Sequence, residues 1–233
     1  LRTRRQRQMC IRDSYYSYSY LVPDDTDYGD QWALPYMDIE SAWELSTDAS
    51  NIYTAVTDGG FQEDHVDLVD NVYLAYDSVD DDSDPMTSWY QCNNHGTHVA
   101  GIVGATSNNT QGISGSFWTG NLMLYRLGTD TWYDYCVSEW SASEDALVDA
   151  ISDGANVVNR SFGISDDLEY SEWIIDIVQA NPDVLIINAA GNSTEDKDDS
   201  DSYTELADEP NFIFVASIDS DGSLSSFSNY GEN

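Results

Sequence analysis

Apolar and polar stretches alternate along this chain on two different periods. Five short apolar runs, at residues 51–57, 121–127, 155–160, 184–189 and 212–217, have the length and composition of buried strands. Between them, near 95–106, 139–153 and 168–180, apolar residues recur at helical spacing. Strand, helix, strand succession of this kind predicts right-handed crossovers and an α/β domain with a parallel sheet covered by helices on both faces. Three of the runs lead into small or polar residues: Asp58-Gly59-Gly60, Ser161-Phe162-Gly163 and Gly191-Asn192. In open parallel sheets the carboxyl edge is where ligands and catalytic groups gather, so these three segments are expected to share one rim. No internal repeat, long linker or membrane-length apolar run interrupts the pattern.

Candidate chemistry is sparse and therefore legible. Two of the three histidines lie in His95-Gly96-Thr97-His98-Val99-Ala100-Gly101, and the pattern places His95 in the first turn of the helix, facing a cleft. An imidazole titrating near neutrality suits a general base that takes a proton from a hydroxyl and returns it to an amine. A satisfied core histidine is the bland alternative. Asp58, directly after a buried strand, reads either as an orienting carboxylate or as a turn former beside two glycines. Asn192 reads either as an amide donor to a developing oxyanion or as ordinary Gly-Asn turn chemistry. The stretch Ser161-Phe162-Gly163 loses bulk at a strand end, where main chain can pair with an extended peptide.

Taken in order, Asp58, His95, Ser161-Phe162-Gly163 and Ala189-Ala190-Gly191-Asn192 resemble the subtilisin-like serine peptidases, the subtilases, from about Gln31 to the end of the chain. Supporting matches are Gln31-Trp32-Ala33-Leu34 with Ala42-Trp43, and Asp64-His65-Val66-Asp67-Leu68, where Val66 stands in place of the family's proline. The resemblance implies a three-layer sandwich and a serine endopeptidase. Asp58 would be the triad carboxylate, His95 the base, Asn192 the oxyanion donor and Ser161, Phe162 and Gly163 the wall that binds substrate. It also implies a calcium site. Asp67, the Asn109 side chain and the carbonyls of Gln111 and Ile113 would supply hard oxygens, the alternative being a solvated Asn-rich turn.

Two positions depart from the family pattern. Gly59 stands where the family carries a Ser or Thr hydroxyl that helps hold the carboxylate. No Gly-Thr-Ser-Met-Ala-like segment occurs, and Ser226-Phe227-Ser228-Asn229-Tyr230-Gly231 resembles the stretch before the nucleophile. The nucleophilic serine is therefore expected to be absent from this chain, which by itself should be inactive. A noncatalytic acidic calcium-binding scaffold with the same fold is the competing function.

Charge separates the N-terminus from the rest. Arg2, Arg4, Arg5, Arg7 and Arg12 precede the first acidic residue, and beyond them three basic side chains face 43 acidic ones in a chain of net charge −35. Residues 1–13 resemble translated sequencing-adapter read-through and lack the apolar core of a signal peptide. Residues 14–30 read as a linker or the tail of an inhibitory propeptide, and 31–233 as the subtilase domain. Acidic runs such as Asp77 to Asp84 are expected on loops, where self-repulsion is eased by salt, which suggests a halophilic or marine source. Such a surface disfavours nucleic acid and anionic membranes as partners. Polypeptide substrate, secretion and a monomeric state are what the resemblance implies. With Cys10 in the arm, Cys92 and Cys136 remain, and a disulfide between them beside the substrate cleft is the expectation.

Overall fold

The computed structural model describes residues 21–87, 90–128 and 140–231. Its centre is a six-stranded sheet, every pairing parallel, in the order β2-β3-β1-β4-β5-β6. The strands are β1 (Asp48–Asp58), β2 (Val72–Asp77), β3 (Thr119–Arg126), β4 (Val157–Arg160), β5 (Leu185–Ala189) and β6 (Phe212–Val215). Helices α1 (Ala33–Tyr36) and α2 (Ile39–Trp43) precede the sheet. The crossovers carry α3 (Tyr90–Gly104), α4 (Trp140–Ser152), α5 (Glu172–Ala180) and α6 (Asp201–Ala207).

The period-2 alternation of the strands divides the core into two layers. Ala55 and Met123 face one side and pack with Ala146 and Leu147 of α4, Ile174 and Val178 of α5 and Leu206 of α6. Their neighbours Val56, Leu122 and Leu124 face the other side and pack with Ala100 of α3 and with Phe61, Leu68 and Ala105. Helices therefore cover both faces, as the alternating pattern predicts, and the fold is a three-layer α/β sandwich. β1 lies at the switch point. From it the chain passes to the edge strand β2, returns to β3 beside β1, and then crosses to the other side of β1 and runs outward through β4 and β5 to β6.

The sequence expectation missed the short helices α1 and α2 as well as β2 and α6. β2 is an edge strand whose Tyr73 is exposed, so it lacks the clean alternation of a half-buried strand. α6 is a seven-residue helix inside an acidic stretch, held by the inward Tyr203 and Leu206. Helix α3 also begins earlier than the expected 95–106. Asn93 reaches back with both amide atoms to Thr87, accepting from its N–H and donating to its C=O at 2.8 Å each. His95 therefore lies in the second turn of α3, not the first. A further correction concerns Asp77. It is almost wholly buried, not a loop-surface carboxylate, because Arg126 Nη1 meets it from the neighbouring strand.

The segment before Gln31 is held against the domain. Pro23 and Asp25 are buried, Asp25 accepts hydrogen bonds from the amides of Asn108 and Asn109 at 2.9 Å, and Asp27 N donates to Gly112 O at 2.8 Å. Residues 1–20, including the basic arm and Cys10, lie outside the described residues.

Candidate active site

Asp58 is the last residue of β1, flanked by β3 and β4, and only 4% exposed. Its carbonyl accepts from Leu127 N at 2.9 Å, and its Oδ1 accepts from Gly59 N at 2.6 Å. His95 comes from α3. Its Nδ1 lies 2.8 Å from Oδ1 and 2.9 Å from Oδ2 of Asp58. A carboxylate only accepts, so Nδ1 carries the proton and Nε2 is left as the basic nitrogen. The hydrogen bond to Asp58 raises the His95 pKa above its ordinary value of 6.5, partial burial opposes that, and the nearby negative charge adds to it. With the side chain 56% exposed, the ring is anchored on one edge and open to solvent on the other.

Glycine lets the helix come this close. A Cβ on Gly96 would collide with the Gly60 carbonyl oxygen and stand 3.1 Å from the Asp58 Cβ. The residue after His95 must therefore be bare for α3 to reach the end of β1.

Two strands away from β1, roughly 10 Å across the sheet at the usual interstrand spacing, β5 ends at Ala189 and the chain turns through Gly191 at φ 101°. Asn192 follows, exposed, with its carboxamide unengaged among the described residues. Between them in sheet order, β4 delivers Ser161, Phe162 and Gly163 to the same edge, where Ser161 Oγ accepts from Asn159 Nδ2 at 3.0 Å. Asn188 of β5 donates to the Phe162 carbonyl at 3.2 Å and so ties this segment to the strand that carries Asn192. Below them Arg160 is fully buried, with no carboxylate partner among the described residues. Its Nη1 donates to Asn188 Oδ1 at 2.8 Å, its guanidinium stacks 4.5 Å from the Phe162 ring centre, and burial pulls its pKa down to about 9.

The expected cation loop is wound round Asp67. Asp67, 5% exposed, accepts from Asn109 Nδ2 and from Ile113 N, each at 2.9 Å. Asn109 Oδ1 accepts from Gln111 N at 2.8 Å. The carbonyls of Gln111 and Ile113 accept no hydrogen bond among the described residues. Asp25, which sequence reasoning passed over as linker, grips the same loop and also accepts from Ser114 Oγ. The donors around the loop are hard oxygens of carboxylate, amide and carbonyl type, a set that suits calcium. Among the described residues no cluster of three or more His, Cys, Asp or Glu is placed to hold a metal. Any ion here would therefore depend on the amide and carbonyl oxygens.

Cys92, on α3, is buried and disulfide-bonded. Its expected partner Cys136 lies outside the described residues.

A parallel sheet with a histidine-aspartate pair at its carboxyl edge is an α/β arrangement that can carry out acid-base chemistry on a group bound at that edge. The subtilase family model matches residues 49–233, and the chain belongs to that family. It is 35% identical over 215 residues to a thermophilic serine proteinase of Bacillus sp. strain AK1, covering 90% of this chain and 49% of that protein. It is 33% identical to the halolysin of Haloferax mediterranei, covering 89% of this chain and 38% of that protein. The chain thus spans about half the length, or less, of these relatives. Among solved structures, a protease from Pseudoalteromonas arctica superposes with TM-score 0.69 at 25% identity over 90% of this chain and 69% of the other. A cold adapted subtilisin-like serine proteinase superposes with TM-score 0.61 at 26% identity over 79% of this chain and 63% of the other. Several relatives are named as extracellular proteases, and among the described residues no helix is long and apolar enough to cross a membrane.

Proposed function

We propose that this chain is the Asp-His half of a secreted serine endopeptidase whose nucleophilic serine is carried by sequence beyond Asn233. The observation that carries this reading is the contact of both Asp58 carboxylate oxygens with His95 Nδ1, which leaves Nε2 basic and solvent-facing at the sheet edge. In the proposed reaction Nε2 takes the proton of the serine hydroxyl as its oxygen bonds to the scissile carbonyl carbon. Asp58 stays ionised and stabilises the imidazolium. Asn192 donates its amide to the oxyanion, the imidazolium returns its proton to the leaving amine, and water hydrolyses the acyl ester by the same steps. Ser161, Phe162 and Gly163 pair with the extended substrate backbone.

Asp67 and Asn109, with the carbonyls of Gln111 and Ile113, would hold calcium, and Asp25 would brace the loop from outside. The ion would fix the loop that follows α3 and take no part in bond breaking. A disulfide from Cys92 to Cys136, a monomeric state and an inhibitory propeptide complete the reading.

The test is expression of the chain extended downstream through its serine segment, assayed on an unfolded polypeptide. The extended protein should cleave it and His95→Ala should reduce turnover by about 10⁶-fold, the scale of such a loss in subtilisin. The chain ending at Asn233 should be inactive. Cleavage that survives His95→Ala would overturn the role of His95 as base, and an extended protein with no serine segment and no activity would establish the scaffold reading instead.

A further inference from the structure

Asn192 is exposed and makes no hydrogen bond of its own among the described residues, yet an oxyanion donor works only if it is already in place when charge develops. Something else must hold it. We infer that Asn229 is a positioning residue for Asn192, an inference that rests on the oxyanion role proposed above.

Asn229 is 2% exposed and spends its polar atoms on the residues that flank position 192. Before it, Asn229 Nδ2 donates to the Ala190 carbonyl at 2.9 Å and Asn229 N donates to the Gly191 carbonyl at 2.9 Å. After it, Asn229 Oδ1 accepts from Ser193 N at 2.9 Å and from Glu195 N at 3.0 Å. Four bonds from one residue therefore fix the backbone on both sides of Asn192 and leave its side chain free. Gly191 makes room for this grip, since a Cβ there would collide with Asn229 Nδ2. Neighbours of Asn229 close the same seam. Thr194 N donates to the Phe227 carbonyl at 3.0 Å, and Tyr230 N donates to the Glu195 carbonyl at 3.0 Å.

The side chain suits the task by chemistry. It must offer an acceptor to two N–H groups and, from a separate atom, a donor to a carbonyl, which an amide does; a carboxylate has no donor, and a hydroxyl would have to make all three bonds from one atom. Without it the loop keeps its glycine and loses its anchor, and a displacement of about 1 Å at a catalytic group can cost on the order of 10²-fold in rate.

The experiment is steady-state kinetics on the extended protein that carries its serine, with Asn229→Ala, Asn192→Ala and the double variant, each checked for native circular dichroism. Asn229→Ala should lower kcat about 10- to 100-fold with KM within twofold, while Asn192→Ala loses about 10²- to 10³-fold. The double variant should be no slower than Asn192→Ala alone, because Asn229 acts only through Asn192. Should Asn229→Ala fail to fold, Asn229→Asp, which keeps the acceptor and removes the donor to Ala190, should still show a kcat loss at unchanged KM. The inference is overturned by a kcat for the folded Asn229 variant within twofold of the parent, or by losses that multiply in the double variant, while Asn192→Ala remains impaired. A parental rate for Asn192→Ala would instead overturn the oxyanion role, and the inference with it.

Discussion

Gly59 and Gly128 meet backbone to backbone beside Asp58: a Cβ on Gly128 would stand 2.9 Å from the Cα and carbonyl carbon of Gly59 and would collide with its carbonyl oxygen. Where the family pattern has a hydroxyl next to the carboxylate, this chain has a glycine pair and a direct hydrogen bond from Gly59 N. Gly128→Ala should push the end of β1 away, destabilising the protein by about 1–3 kcal/mol as overpacking does. Gly29→Ala, with nothing within 4 Å of its Cβ, should change stability by less than about 0.5 kcal/mol. Chemical denaturation of the two variants measures the difference, and equal effects would contradict the close packing.

The His95 titration should report the same geometry. Asp58 raises its pKa in the folded state, so folding is favoured by protonation of this ring. The contribution is present in full below the unfolded value near 6.5 and is lost as pH rises through the higher folded value. Nitrogen-15 NMR should show a His95 midpoint above 6.5 that drops in Asp58→Asn. The stability difference between parent and Asp58→Asn should shrink from pH 5.5 toward alkaline pH, and growth in that direction would contradict the sign.

Arg126 and Asp77 form a buried ion pair at the ends of β3 and β2, with Arg126 Nε donating to the Gly128 carbonyl at 2.9 Å. Asp80, more exposed, lies 3.3 Å from the same guanidinium. Removing the cation alone leaves the Asp77 charge buried. Arg126→Met should therefore cost about 3–5 kcal/mol, and adding Asp77→Leu should recover much of that. Urea unfolding of the single and double variants checks both values.

Salt and calcium should stabilise by separable routes. The three Lys and Arg residues after the basic arm are all engaged: Arg126 by Asp77, Arg160 in the core and Lys197 by Asp166 and Glu195. The outer surface is thus left to carboxylates, whose repulsion sodium chloride should screen as the Debye length falls from about 10 Å at 0.1 M to about 3 Å at 1 M. Calcium at a hundredfold excess over its Kd should add about 2.7 kcal/mol. Thermal melts of Asp67→Asn should keep the salt response and lose the calcium response. A calcium response that persists would move the site away from Asp67.

Much of this was legible in the sequence because it depends on local pattern. Apolar runs bounded by glycine and aspartate mark β1, β4 and β5. The His95-Gly96 pair and Gly191-Asn192 carry signatures that survive in one dimension, since bare backbone is needed wherever a helix or turn must approach another chain segment closely. Asp25, Arg126 and Asn229 left no such trace. Asp25 sits in a stretch that reads as linker, Arg126 looks like one strand residue among others, and Asn229 lies 37 positions from the residue it flanks in space. Burial and hydrogen bonding give these residues their roles, and neither is a property of a short window.

By itself the amino-acid order determined the layers, the direction of the strands and the identities of the groups suited to acid-base work, because periodicity and side-chain chemistry are local. Tertiary structure alone decided that Asp58 meets His95 across 37 positions, and that Asp77 is paired inside the protein while most of its acidic neighbours face water. The reason is physical. A parallel sheet brings the ends of distant strands within a few interstrand spacings of one another, and only that proximity sets which polar groups lose water and must find partners in the chain.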